Sequence, residues 1–411
     1  MRKHFIFLLF LCLLCLSGCQ TSSLPPPTDQ DTADREFSDS FDAIGYDTES
    51  GIWFSDSILS YFDSGGYLYF YDDASRQIIR LCGKTNCSHD SPNCDAYFGD
   101  YIHAPTIQSY AGSVYLWRSV NIAGSGVTDE LVCADPDGSG HKDLGQLITR
   151  DFPSFVSESV IYDGFLYFCC YSPNGDGYFE YRLYRQPLKA SQEAELLFTT
   201  SAETHENHIQ NLHLTGRTCW FTDICFSDDS YQTNLWSVNI DTSEKKNILS
   251  AVNRNISYAV LGDDVYYTTY NTPYNIEFTP VYKRNVNTGE ESLFLSQGGR
   301  LTWDGDYFYI STFQDGKAGG DILVVNSDGQ ILQTIDLSTI RNTIPDPHVM
   351  VLAHHIFVES GLSEDGGSDV LKKTWFIAAK DDLLNQNPDA WSVFTRGHSR
   401  NDYGEVSGTP S

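Results

Sequence analysis

The chain of 411 residues carries 26 basic against 55 acidic side chains, a formal net charge of −29, with 14% aromatic residues and only two methionines. Such acidity repels phosphate backbones and anionic headgroups, which excludes nucleic acid as a partner and leaves any membrane contact to something other than a basic surface. Abundant Tyr, Phe, Trp and Gly point to many short strands joined by turns, an all-β composition for which length is a poor guide to domain number.

The N-terminus reads as an export signal. Met1, Arg2, Lys3 and His4 form a basic head, and Phe5 to Leu16 form an apolar stretch too short to span a bilayer, closed by small residues. Leu16-Ser17-Gly18-Cys19 resembles the bacterial lipobox. That resemblance implies removal of residues 1–18, a diacylglyceryl group on Cys19 and acyl chains that include palmitate. At about 0.8 kcal/mol per buried methylene, two or three such chains hold the protein stably at the extracytoplasmic face of the cell membrane. The mature chain would carry 24 basic and 55 acidic residues. Residues 19–42, with Pro25, Pro26 and Pro27 among polar residues, predict a lipidated cysteine followed by a disordered linker.

From residue 43 to 396 a repeat dominates. A turn and an aromatic strand recur at Gly66, Gly112, Gly164, Gly216, Asp263, Gly305 and His354, at spacings of 46, 52, 52, 47, 42 and 49 residues. A second strand ending in a polar hairpin follows most of them, as at Leu131 to Gly140, Leu183 to Ser191, Leu235 to Glu244, Val281 to Gly289 and Ile322 to Gly329. The first repeat is irregular: Leu68 to Arg76 fits the second element better, with Gly51 to Phe54 as the opening strand. Phe165, Leu166, Tyr167 and Phe168 show no in-out alternation, the pattern of a strand covered on both faces. The expected architecture is a single all-β β-propeller of seven blades, with six or eight as near alternatives. The segment from Asn385 onward fits no repeat, and residues 397–411 are expected to be a disordered tail.

An insertion at 82–94 interrupts the first repeat. Its pattern, Cys82-x4-Cys87-x-His89-x4-Cys94, supplies three thiolates and one imidazole, a donor set suited to one structural Zn²⁺ with no position left for water. Outside the cytoplasm the same cysteines admit a second chemistry, a disulfide between Cys87 and Cys94 or between Cys82 and either. The stretch from Tyr69 through Ala96, together with the lipobox and the aromatic repeats, resembles a family of β-propeller lipoproteins, a domain of unknown function, from anaerobic Gram-positive gut bacteria. The resemblance covers the signal and most of the repeat region; it implies an anchored propeller of the cell surface and carries no catalytic residue.

Other candidate sites are weaker. His205, His208 and His213 with Glu203 and Glu206 read as solvated filler between blades rather than a metal site. Asp135 to Gly140 has the look of a calcium loop but falls where other repeats place a hairpin turn. His354 and His355 occupy a turn that would face the central channel. Cys169, Cys170, Cys219 and Cys225 read as buried small residues, with a Cys219–Cys225 or inter-blade disulfide as the alternative. No Gly-x-Ser-x-Gly elbow, Walker loop, His-Glu-x2-His helix or dinucleotide fingerprint is present. The function expected on these grounds is a membrane-anchored binding or interaction module for a glycan, peptide or envelope protein, with an extracytoplasmic glycan hydrolase or lyase acting in the propeller channel as the alternative.

Overall fold

The computed structural model describes residues 52–55, 58–61, 66–99, 107–122, 126–146, 155–173, 179–188, 193–200, 206–227, 230–271, 276–313, 320–342, 348–359, 363–364 and 370–399. All of them belong to one compact unit, Arg35–Ser411. The expected signal peptide, Cys19 and linker lie outside the described residues, as do Glu203, His205 and residues 400–411.

The described strands form seven sheets, each built from one contiguous stretch of chain. The first holds β1 (Ile52–Ser55), β2 (Ile58–Tyr61), β3 (Leu68–Asp72) and β4 (Gln77–Arg80); the second β5 (Ile107–Tyr110), β6 (Ser113–Ile122), β7 (Gly126–Ala134) and β8 (Lys142–Gln146). The third holds β9 (Phe155–Tyr162), β10 (Phe165–Pro173), β11 (Phe179–Pro187) and β12 (Glu195–Thr199); the fourth β13 (Glu206–Thr215), β14 (Thr218–Phe226), β15 (Tyr231–Asn239) and β16 (Lys245–Val252). In the fifth are β17 (Asn255–Leu261), β18 (Asp264–Tyr270), β19 (Val281–Asn285) and β20 (Glu291–Leu295), and in the sixth β21 (Arg300–Trp303), β22 (Phe308–Ser311), β23 (Ile322–Val325) and β24 (Ile331–Ile335). A short helix α1 (Ser338–Arg341) leads into the last sheet, of β25 (His348–Val351), β26 (His355–Glu359), β27 (Ser363–Glu364), β28 (Val370–Ala379) and β29 (Ser392–Ser399), with α2 (Lys380–Leu384) before β29.

Six sheets are regular four-stranded antiparallel blades, and the last departs from the expected repeat with five strands. The departure is local. β26 pairs with β28 from His355↔Ala379 to Glu359↔Trp375, and β27 continues along the same side of β28 at Ser363↔Lys372 and Glu364↔Leu371. One lane is thus split into two strands. β29 pairs along the other side of β28 and runs to Ser399, so the segment after Asn385 that fits no repeat supplies the outermost strand, and the propeller passes its expected end at 396.

The aromatic strand is the second of each sheet from the second sheet onward, and the turn before it is tight. Asp163 and Gly164 take φ of +49° and +74°, the left-handed pair that a two-residue hairpin with right-handed twist requires. In the first sheet the aromatic strand is the third, β3, and β1 opens the sheet at Ile52. The irregularity of the first repeat is therefore real.

Two-sided burial is visible residue by residue in β10: Leu166, Phe168 and Cys170 pack with Trp117 and Leu131 of the second sheet, whereas Tyr167 and Cys169 pack with Leu214, Cys219 and Phe221 of the fourth. Each pair of neighbouring sheets shares one such core. The last and first sheets share one too, with Tyr71 against Phe357, Trp375 and Ile377. The fold is a single all-β β-propeller. Among the described residues the last and first sheets are joined by side chains and share no strand: Tyr71 Oη to Ser392 Oγ at 2.8 Å, His355 Nε2 to Asp73 Oδ1 at 3.1 Å, and the Arg76 guanidinium to the Asp389 carbonyl.

Among the described residues the first strand of each sheet has an edge with no further strand beside it, and its backbone groups need other partners. In the third, fourth and sixth sheets, side chains from the preceding sheet supply them. Gln108 Oε1 accepts from Ile161 N–H at 2.6 Å while its Nε2 donates to the Ile161 carbonyl at 3.0 Å. Glu158 accepts from the N–H groups of Asn211 and Leu212 at 3.0 and 2.9 Å, and Ser257 Oγ from Leu301 N–H at 2.9 Å.

Candidate metal centre

The β3–β4 hairpin delivers the chain to Leu81, whose N–H donates to the Leu68 carbonyl, and the insertion then folds back in short turns. Cys87 N–H donates to Lys84 O, Cys94 N–H to Ser91 O and Tyr97 N–H to Cys94 O. A clasp holds the two ends: Lys84 Nζ meets Asp95 Oδ1 at 2.6 Å and donates to Asn93 O at 2.8 Å. His89 adopts φ of +58°, a left-handed conformation that His tolerates better than most side chains.

These turns bring together the four residues singled out by their spacing. One donor atom from each of Cys82, Cys87, His89 and Cys94 lies within 4.8 Å of all the others, and His89 Nδ1 is 3.3 Å from Cys94 Sγ. Around a tetrahedral Zn²⁺, with Zn–S of about 2.3 Å, neighbouring donors stand about 3.8 Å apart. A contraction of about 1 Å at most completes that geometry. The cluster can hold a metal ion, and its three sulfurs and one imidazole leave no position open for a substrate. Among the described residues no cysteine is in a disulfide.

The thiols are differentiated. Burial pushes the Cys82 thiol up, but N–H donation from Lys84 and Asp95, with further donation from Cys94 and Cys87, outweighs it and holds Cys82 below the usual thiol range. Cys94 is buried and pushed up to about 12, burial being the main cause, against N–H donation from Ala96.

The insertion is seated on the second sheet. Gly83 N–H donates to Asp137 O at 3.1 Å, and a Cβ at Gly83 would lie 2.7 Å from Asp137 Oδ2. Gly138, at φ of +82°, comes so close that a Cβ there would stand 2.1 Å from the Leu81 carbonyl oxygen. His141 stacks on Phe98 with ring centroids 4.1 Å apart, and its Nε2 lies 2.7 Å from the carbonyls of both Asp95 and Gly138. His141 carried no signal in sequence, because its partner is 46 residues away and it sits outside the Cys/His pattern.

The remaining candidates part company with the cluster. Asp135 to Gly140 is a hairpin turn closed by Gly138 N–H to Asp135 O at 2.9 Å and Asp135 N–H to Ser139 O at 2.8 Å. His213 is buried, not solvated; burial lowers it to about 4. His208 contacts Tyr181 Oη at 3.0 Å. A β-bulge between Gln210 and His213 separates the two histidines. His355 faces Asp73 and Tyr71 in the closing seam while His354 is exposed. Cys219 and Cys225 lie six residues apart on the single strand β14, a separation of about 20 Å that no disulfide bridges.

No protein family and no curated protein matches the chain. Solved structures do. Prolyl oligopeptidase B from Galerina marginata is 10% identical at a TM-score of 0.50, covering 83% of this chain and 48% of that one. The β-propeller domain of the Trilobed protease from Pyrococcus furiosus is 10% identical at 0.42, covering 75% and 98%, and oligogalacturonate lyase from Vibrio parahaemolyticus is 13% identical at 0.44, covering 72% and 80%. The chain spans about half the length of the prolyl peptidases it matches. At such identities the likeness is one of fold alone.

Proposed function

We propose that this protein is an exported lipoprotein, anchored through Cys19 at the extracytoplasmic face of the cell membrane, whose seven-sheet propeller is an interaction module pinned by one structural Zn²⁺ on Cys82, Cys87, His89 and Cys94. The zinc reading is supported by the convergence of the four donors. The binding reading is carried by an open groove of about 500 Å³ between the fourth and fifth sheets, lined by Ser250, Tyr267, Thr269, Thr279, Tyr282 and Arg284 beside Leu249 and Ala251. Its volume and its mixture of aromatic rings, hydroxyls and one guanidinium suit a polar ligand such as a glycan or a peptide. The groove rests on a rigid frame, since the inner strands around it are latched by Ser257 and Tyr258, which reach the sixth and fourth sheets.

The test is retention of the full-length protein in detergent on immobilised cell wall, mucin glycans and envelope extract, beside Tyr282→Ala. Retention lost in the variant supports the groove as the site. Failure to bind any of the three, together with turnover of chromogenic glycosides, would replace the binding module with a glycan hydrolase or lyase.

A further inference from the structure

We infer that the second sheet completes the metal centre: His141 fixes the peptide that donates to Cys94, so that metal affinity and the packing of the first sheet on the second rise and fall together. This rests on the zinc reading above.

The connection runs through one peptide group. Both partners of His141 Nε2 are carbonyl oxygens, so this nitrogen carries the hydrogen and donates to Asp95 O. The Asp95 carbonyl and the Ala96 N–H belong to the same peptide unit, and Ala96 N–H donates to the Cys94 sulfur. A donor on the carbonyl side polarises the amide and aims its N–H at the sulfur. On the other side of the cluster, the peptide between Cys82 and Gly83 is held by Asp137 O of the β7–β8 hairpin, one peptide before the Lys84 N–H that donates to Cys82. Two ligands therefore have their supporting amides oriented by residues of another sheet.

Packing follows the same boundary. Cys82, Cys87 and Cys94 lie in one core with Ile107, Val114, Leu116 and Val132 of the second sheet. The described strands of the first sheet, β1 to β4, have four or five residues each, as do those of the sixth sheet, whereas β6, β7, β10 and β14 have nine or ten. The first is also a sheet that, among the described residues, meets the last sheet through side chains and not through a shared strand.

The experiment is zinc titration of the full-length protein in detergent against a chromophoric chelator, for wild type, His141→Ala and His141→Gln, with hydrogen exchange of zinc-loaded and chelator-stripped wild type. His141 is exposed, but its ring covers the buried Phe98, so the fold of each variant is checked by circular dichroism before titration, and His141→Gln, which keeps a planar group there, is the control. His141→Ala should bind zinc 10- to 100-fold more weakly, and His141→Gln, which keeps a donor, should recover most of the loss. Stripping zinc should raise exchange in residues 135–141 as well as in 94–98. Zinc affinity unchanged in His141→Ala, with exchange at 135–141 indifferent to zinc, overturns this inference and leaves the zinc reading standing. A wild type that binds no zinc overturns both.

Discussion

Glu158 offers a test of the propeller's inner bracing. Its residue is half-buried, but its carboxyl is held in the seam between the third and fourth sheets, where desolvation raises it from 4.5 to about 7 despite N–H donation from Leu212 and Asn211. A carboxyl whose folded value lies above its unfolded value contributes stability that is fully present below pH 4.5 and lost as pH rises through 7. At 1.36 kcal/mol per unit, the difference corresponds to about 3 kcal/mol between pH 4.5 and pH 8. Glu158→Gln removes the titration while keeping an oxygen for the latch, as Gln108 does one sheet earlier. Urea unfolding at pH 4.5 and pH 8 should therefore show wild type gaining about 3 kcal/mol relative to the variant on going to the lower pH. Taking the difference cancels every other titrating group. A wild-type-minus-variant difference that stays flat across this range would refute the assignment of a desolvated carboxyl at the seam.

Other outcomes follow from the same physics. His213, buried and lowered from 6.5 to about 4, contributes stability present above pH 6.5 and lost as pH falls through 4, about 3 kcal/mol in all; His213→Leu should flatten that part of the acid limb in thermal melts. Lys380 Nζ meets Asp304 Oδ2 at 2.6 Å with both side chains more than nine-tenths buried, so Lys380→Met should cost about 3–5 kcal/mol in denaturant unfolding, partly recovered when Asp304→Asn is added. Cys133, Cys169, Cys170 and Cys219 are buried, and in chelator-stripped native protein they should resist a thiol reagent that labels Cys82, half-buried and held below the usual thiol range, then all react once the chain is unfolded.

Much of the architecture was legible because it repeats locally. Tight turns such as Asp163-Gly164 and two-faced runs such as Phe165 to Cys170 announce themselves within a few residues, and their recurrence marks the propeller. The Cys/His knot was legible for the same reason: its four donors fall within 13 residues, and short turns can close over that distance. The split of one lane into β26 and β27, and the placement of β29, were not. A strand such as β29, with Val393 exposed and Ser392 buried, has a single aromatic residue, Phe394, in place of the repeat's aromatic run, and only its ladder with β28 identifies it.

What the sequence by itself determined was each sheet's internal order, since hairpin-linked strands pair with their neighbours in the chain. Tertiary structure alone decided the seams. Adjacent Cys169 and Cys170 serve different cores because successive side chains of a strand point to opposite faces, and which sheet stands on each face is set by ring closure. The latches of Gln108 and Glu158 join residues 53 or 54 positions apart, and His141 reaches Asp95 across 46. Such pairs have no local pattern to read. They form only when the sheets are already side by side, where an unpaired edge amide or a knot's carbonyl must find a partner out of water.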